Sequence, residues 1–498
     1  MEVSAKSGNG SRVALVPLCL VAIALALGLS FGPCTQDDAF ISFRYAENLA
    51  TGSGLVYNPG EYVEGFTNLS WTLLLAGVMS VGLEPVAAST LMGLFALVWL
   101  VLATWRMGQS ALSTRGAVVA SLLVSMDAQL ALESVEGLET TLYAALVTMG
   151  IHGAINRSGE IRSSGWFSLA FLTRPDGLLV WGATHLFSWA RDGEWRSRLR
   201  TVIYGSWPII LIVLLTTVAR ITYYGDPLPN TFYAKTGGWA VPRGLMYLWA
   251  HICSHPVLWG LVLVGLVRAE RQVRLLGIIV SVVLGYVVWV GGDFKPTGRF
   301  IIPVLPVLCV IAGAGFDVLF KRRKVGPMLV ALAVGLGMVR WNQWQQANEW
   351  AKERHANLES RRLVGDWIAM NSPKGTVMAI HSAGAIPYYA GLETIDMWGL
   401  TNREVARSDA PSMGLGMAGH ERSAPEYVFS LEPDLYVPED KVFTLKPWKL
   451  RPEAGVSKDF SAHYRPVNVR IKGRWLNMWV RKDGLMARLQ SAEGAIEQ

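Results

Sequence analysis

Two neighbouring carboxylates, Asp37 and Asp38, follow an apolar run and open the segment DDAFISFRYAENLATGSGLVYNPGEYVEGFTN, which also carries Arg44, Glu64 and Asn68. Four later motifs carry acids, bases or both: ESVEGLETTLY with Glu136 and Glu139, TRPDG with Arg174 and Asp176, GDPLPNTFYAKT with Asn230, Tyr233 and Lys235, and GGDFKPTGRF with Asp293, Lys295 and Arg299. A carboxylate can take a proton from an attacking group, and guanidinium and ammonium groups hold phosphate through charge-assisted hydrogen bonds. The set suits an anionic, lipid-tethered substrate with its phosphate on Arg and Lys and its reacting carbon near a carboxylate. Each motif also has a plainer use. Asp is a good N-cap for DAFISFRYAENLA, PLPNTFYAK can be a turn with an interfacial aromatic and a snorkelling lysine, GGDFKPTGRF a glycine-rich connection, and EGLE a cap for the next span. Their convergence on one side of a membrane is what favours chemistry.

That convergence depends on the elements that position them. Hydrophobic residues make up 51% of the 498 and charged ones 17%, below the roughly 25% charged of soluble domains. Apolar runs recur at 13–31, 86–105, 114–126, 139–154, 163–173, 177–190, 203–220, 246–267, 275–290, 300–319 and 326–340, which predicts a polytopic α-helical membrane protein with about eleven crossings. Basic residues cluster between the runs: Lys6 and Arg12, Arg106 and Arg115, 156–162, 191–200, 268–274 and 321–324. They read as cytoplasmic topology signals, so the net charge of +7 implies no nucleic-acid partner. The acid–base motifs and everything after about Arg340 then face outward. Counting 69–83 as a crossing would invert every later basic loop, so it reads as a helix lying on the outer face, inside a first outer loop of about 32–85. The runs 163–173 and 177–190 are short for a ~30 Å hydrocarbon core, which places TRPDG in a recessed, protein-lined cavity. Four scattered cysteines, Cys19, Cys34, Cys253 and Cys309, form no disulfide or metal framework. The first apolar run has no small-residue cleavage site after it and reads as an anchor.

The stretches DDAFISFRYAENLATGSGLVYNPGEYVEGFTNLSWTLLLA, LTRPDGLL, DPLPNTFYAKT, GGDFKPTGRFIIPVLPVL, AGAIPYYAGLETIDMWGLTN and GHERSAPEYVFSLEPD resemble GT-C glycosyltransferases, in the branch that contains the terminal β-(1→2)-arabinofuranosyltransferases and pilin arabinosyltransferases. The resemblance implies a GT-C fold with juxtamembrane helices in the first outer loop, in a bacterial inner (cytoplasmic) membrane. It also implies an activity that passes a sugar from a polyprenyl-phosphate donor to an extracytoplasmic glycan, lipid or protein acceptor. The sugar, arabinofuranose, rests on the resemblance alone. A catalytic Asp belongs in this loop, which maps onto Asp37 or Asp38. The expectation adopted from the residues is Asp37 as base and Asp38 as its orienting or metal-binding partner.

A phosphate leaving group needs no acid, so one base suffices, unlike the two carboxylates of glycoside hydrolases. Arg44, Arg174, Lys235 and Arg299 are the candidate donor-phosphate ligands. Glu64, Asn68, Glu136, Glu139, Asp176, Asn230, Tyr233 and Asp293 are the candidate sugar or acceptor contacts. No cofactor is demanded; a divalent cation on Asp37 and Asp38 is compatible. Residues 1–340 read as the transmembrane catalytic unit and 341–498 as an extracytoplasmic α/β domain: helical spacing at 346–369, short strands at GTVMAI and ETIDMWG, a short helix at ERSAPEYVFSLEPD before DLYVP, and closing strands at VNVRIKGRWLNMWVRK. His381, Asp396, His420 and Glu421 lack metal-ligand spacing and read as packing and loop-fixing residues, with His420 and Glu421 as acceptor contacts if this domain folds over the cavity. The competing class is a lipid-linked-sugar transporter or flippase, which would show internal repeats and midplane breaks.

Overall fold

A computed structural model describes residues 7–156, 160–191, 194–295, 298–321, 326–411, 413–438, 442–452 and 459–487. The chain is a multi-pass helical membrane protein with a C-terminal sheet domain. Among the described residues four helices are long and apolar enough to cross a membrane alone: Pro85–Ala111, Val202–Tyr224, Arg271–Val290 and Ile302–Leu319. Helix Ser7–Phe31 covers the first expected run. Other expected crossings are shorter helices, such as Thr114–Ser125 with 12 residues, which rises only about 18 Å.

The run at 246–267 is corrected by the structure. It is two helices, Val241–Ser254 and Pro256–Arg268, bent by 97°. His255 between them is non-helical, with φ −129° and ψ 48°, because the proline that follows disfavours the α conformation and then starts the next helix as its first residue. The break is buried and tied down. His255 Nε2 lies 3.1 Å from Asp127, Asp127 accepts from Arg340 at 2.8 Å, and Gln343 donates to the Ser254 carbonyl at 2.6 Å.

Several expected basic loops gather at one end. Arg115, Arg268 and Lys321 line a cavity of about 730 Å³, Arg271 donates to the Ala190 carbonyl, and Arg191 donates to Ala154 and Ile155. Residues 1–6, 157–159, 192–193 and 322–325, which hold Lys6 and most of KRRK, lie outside the described residues.

The first long loop contains two helices, Ala39–Ala50 and Leu69–Ser80. Their apolar residues Phe40, Phe43, Trp71 and Leu75 pack together and against Tyr388 and Tyr389 of the C-terminal helix Ala385–Ala390. Leu73 and Leu74 remain exposed, as expected of a helix that lies along lipid. Helix Gly326–Asn371 runs unbroken from the apolar bundle into the C-terminal domain, so residues 340 and 341 lie inside one element.

That domain holds a six-stranded sheet ordered β2 (Glu393–Asp396), β1 (Val377–Ile380), β3 (Leu435–Val437), β6 (Arg474–Arg481), β4 (Phe443–Thr444), with β5 (Tyr464–Ile471) also on β6. β1 is parallel to β2 and β3, and β6 is antiparallel to β3, β4 and β5. The β5–β6 hairpin turns at Lys472 (φ 44°) and Gly473 (φ 81°), two positive values that match the twist of the strands. The strands expected at GTVMAI, ETIDMWG and VNVRIKGRWLNMWVRK and the Pro425–Ser430 helix are present, and β3 is a further strand in DLYVP. β4 is an addition, too short to leave a period-2 signal.

Candidate functional site

Asp37 and Asp38 sit in the turn before helix Ala39–Ala50, and the structure separates their surroundings. The Asp37 carboxylate pairs with Arg361 of the long helix at 2.7 Å and accepts from the Ala385 backbone N–H at 2.8 Å. A Cβ on Gly384 would collide with Asp37 backbone and side chain, so only glycine lets the C-terminal domain close this far. Asp38 occupies the N-cap position, yet its side chain makes no capping bond. Among the described residues its carboxylate has no hydrogen-bond or ion-pair partner. Burial pushes Asp38 up, but the charges of Lys235, His420, Arg299 and Lys295 outweigh it and hold its carboxyl below the ordinary range.

The cations beside Asp38 come from three connections. Lys235 ends the short helix Asn230–Lys235 and, among the described residues, makes no ion pair. Arg299 pairs with Glu139 at 3.3 Å and Asp293 at 3.8 Å. Arg174, in the turn that Pro175 forces between helices Glu160–Thr173 and Gly177–Arg191, pairs with the same Glu139 at 3.0 Å and with Asp176 at 3.1 Å. Gly177 makes that turn tight, since a Cβ there would strike the Ala170–Phe171 backbone. Asn68 completes the Glu139 shell at 2.9 Å. His420 reaches the same place from the C-terminal domain, edge-on to Trp398 (4.2 Å) and Phe294 (5.2 Å), and Gly419 beside it lies against the Lys235 stem. Asp38, Arg174, Lys235, Arg299, Glu139, Asp176, Asp293 and His420 thus form one neighbourhood, with Asn68 behind it.

The remaining expected site residues are engaged elsewhere. Arg44 is corrected from phosphate ligand to internal tie: it is buried and donates to Tyr57 O, Asn58 Oδ1, Pro387 O, Leu392 O and Thr394 Oγ1, joining the first loop to the C-terminal domain. Glu64 is held by Arg220 at 2.8 Å. The Asn230 amide is spent on the carbonyls of Gly399, Leu400 and Asn402, in the loop that Asp396 organises. Tyr233 lies under the Arg407 guanidinium at 4.1 Å. Glu136 faces the fully buried Lys295 and Arg354. Glu421 pairs with Arg243 at 2.9 Å and caps the amides of Gly414 and Gly416. Among the described residues no three His, Cys, Asp or Glu side chains come together as a metal set, and Asp37 is engaged by Arg361 and the Ala385 amide.

Arg361, Arg354 and Arg220 complete this chemistry and carried no signal in the sequence. Arg361 and Arg354 lie in a charged helical stretch that reads as a solvated face, and Arg220 reads as the end of a span.

Residues 342–485 match a family described as "Domain of unknown function (DUF8728)". The chain is similar to the terminal beta-(1->2)-arabinofuranosyltransferase of Mycobacterium tuberculosis, with 27% identity over 66% of this chain and 61% of that protein. A protein of the same name from Corynebacterium glutamicum is 24% identical over 70% of this chain and 58% of its own length. The chain therefore spans about three fifths of the length of these relatives. Its structure is similar to a crystal structure of ArnT from Cupriavidus metallidurans bound to undecaprenyl phosphate, with TM-score 0.60, 12% identity, and 93% and 97% of the two chains covered. It is also similar to the apo oligosaccharyltransferase of Archaeoglobus fulgidus, with TM-score 0.52, 13% identity, and 77% and 64% covered. The resemblance read from the motifs and these likenesses agree: the chain has the fold of the GT-C glycosyltransferases.

Proposed function

We propose that this chain is a membrane glycosyltransferase that moves a sugar from a polyprenyl-phosphate donor to an acceptor outside the bacterial cytoplasmic membrane, with Asp38 as the general base. The observation that carries the reading is a pair of uncommitted charges. The Asp38 carboxylate and the Lys235 ammonium act on each other electrostatically, yet among the described residues neither closes an ion pair. Nearly every other charge around them is neutralised by a direct partner. The sugar favoured by the relatives' names is arabinofuranose, and undecaprenyl phosphate in the ArnT structure supports the donor class. In this reading the acid–base cluster and the C-terminal domain, 341–498, face outward, and 1–340 cross the membrane about eleven times.

An acceptor hydroxyl attacks the anomeric carbon while its proton passes to Asp38. The carbon–oxygen bond to phosphate breaks, and polyprenyl phosphate departs with its new charge on Lys235 and Arg299, with Arg174 behind them. Asp38 replaces Asp37 as the base because Asp37 is already held by Arg361 and Ala385. Lys235→Met and Arg299→Gln should each weaken polyprenyl-phosphate binding about 10- to 150-fold, the equivalent of losing one charge-assisted contact of roughly 1.5–3 kcal/mol. Titration of the purified protein with polyprenyl phosphate measures this; unchanged affinity in both variants contradicts the assignment.

The same cations set a pH signature. In the free protein they depress Asp38, so the base form is lost only as pH falls through that lowered value. A bound phosphate neutralises them and leaves burial to raise the carboxyl. The acid limb of kcat should therefore lie at higher pH than that of kcat/KM for donor. Coincident limbs would contradict the arrangement.

A further inference from the structure

The connection between the span that ends at Tyr224 and the helix that begins at Val241 has to run along the membrane surface, and it exposes Leu228, Phe232 and Trp239. A loop of the C-terminal domain is fastened to it. A Cβ on Gly238 would strike the Met413 carbonyl, and one on Gly414 would strike the Trp239 backbone. Arg422 donates to the Tyr233 and Thr236 carbonyls, both at 3.1 Å. Arg243 bridges the Gly291 carbonyl at 3.1 Å and the Gly416 carbonyl at 2.8 Å. Gly291 directly follows the span Arg271–Val290, whose Trp289 is exposed as a residue of an aromatic belt is. The loop therefore lies one guanidinium away from the point where the chain leaves the lipid.

At that level it presents apolar side chains. Residues 413–419 read MGLGMAG, without a charged or polar side chain, and Leu415 is 84% and Met417 61% exposed. The turn that carries them is held in shape. Gly414 takes a φ of 90°, which favours glycine. The Glu421 carboxylate folds back to accept from the amides of Gly414 and Gly416 at 2.7 and 3.0 Å while pairing with Arg243. Neither Leu415 nor Met417 contributes to the core of the domain. Large exposed apolar groups gathered at one place mark a contact surface, and the apolar phase that adjoins this one is lipid.

We infer that residues 413–417 are a membrane anchor of the C-terminal domain: Leu415 and Met417 enter the leaflet on the side of the acid–base cluster, beside Trp239, and their partner is the acyl region of bilayer phospholipid. The anchor has a consequence for the site. Two residues beyond it Gly419 lies against the Lys235 stem, and His420 stands in the Asp38 neighbourhood, so the bilayer helps to hold the domain over the cations. The inference needs only that the chain spans a membrane, and it stands or falls apart from the reaction.

The test uses the full-length protein in phospholipid nanodiscs, with the exposed native cysteines Cys19 and Cys253 replaced by serine and the buried Cys34 and Cys309 left in place. Leu415→Cys and Met417→Cys each carry an environment-sensitive fluorophore, and Leu214→Cys, exposed midway along the span Val202–Tyr224, carries it as the lipid reference. At 415 and 417 the emission should shift to the blue as it does at 214, and be quenched by nitroxide-labelled acyl chains rather than by iodide. Water-like emission quenched by iodide alone overturns the inference. So does a blue shift that appears only when polyprenyl phosphate is added, which would assign the loop to the donor's own chain. Leu415→Asp with Met417→Asp should speed amide exchange across 413–421 in nanodiscs at least about tenfold, because the loop then opens without withdrawing apolar side chains from lipid. Exchange no faster than in the parent overturns the anchor as well.

Discussion

Asp38→Asn is expected to lower sugar transfer by about 10²–10⁴-fold, the range for loss of a positioned general base, without loss of folded protein. The structure supplies the second half of that expectation. Asp38 makes no capping bond and no ion pair among the described residues, and an amide of the same shape fits the same space, so what the variant loses in the fold is the longer-range attraction to Lys235, His420, Arg299 and Lys295. Asp37→Asn should behave differently. It weakens the tie to Arg361 that holds the C-terminal domain against the first loop, so it should lower the unfolding midpoint and reduce transfer by a smaller factor, read mainly in KM for acceptor. Rates and unfolding midpoints of both variants, measured side by side, check the division. If Asp37→Asn abolishes transfer and Asp38→Asn does not, the roles are reversed.

The second large effect lies in the support beneath the site. Lys295 is fully buried between Glu133 and Glu136, and Glu136 also meets Arg354. Lys295→Met removes the charge that both carboxylates face. Breaking a buried pair from one side costs about 3–5 kcal/mol because an uncompensated charge stays behind, so this variant should yield little monodisperse protein. Adding Glu133→Gln and Glu136→Gln removes the stranded charges and should recover most of the loss. Chemical denaturation in detergent, or yield of folded protein by size exclusion, measures both. A single variant as stable as the parent would show that Lys295 and its two glutamates are not the buried ionic support described.

The helices of the bundle were legible because lipid demands long apolar runs, and those runs survive in composition alone. The His255 break was hidden because hydropathy is continuous across 246–267; only Pro256 marks it, and a proline inside an apolar run is equally compatible with a kink. Arg44 shows how a sequence neighbour misleads. Six residues of helix turn it roughly 240° around the axis from Asp38, toward Tyr57 and the C-terminal domain. Lys235, Arg299, Arg174 and Glu139 were legible as one polar cluster since charges beside apolar runs are rare and need partners. The different surroundings of Asp37 and Asp38 were not, because they are set by Arg361 and Ala385, more than three hundred positions away in the chain. Glu64, Asn230 and Glu421 are engaged away from that cluster for the same reason: remote partners, Arg220, the 399–402 carbonyls and Arg243, hold them.

A transporter or flippase needs many spans and charges near lipid as well, so composition alone does not separate it from a transferase. What separates them is a covalent bond. The decisive measurement places the purified chain in lipid nanodiscs with a polyprenyl-phosphoryl pentose and an oligosaccharide acceptor, and follows both by mass spectrometry. The expected result is an acceptor heavier by one anhydropentose, with free polyprenyl phosphate released in equal amount and neither product formed by Asp38→Asn. Acceptor of unchanged mass beside intact donor, in protein that still binds polyprenyl phosphate, would contradict the glycosyltransferase reading.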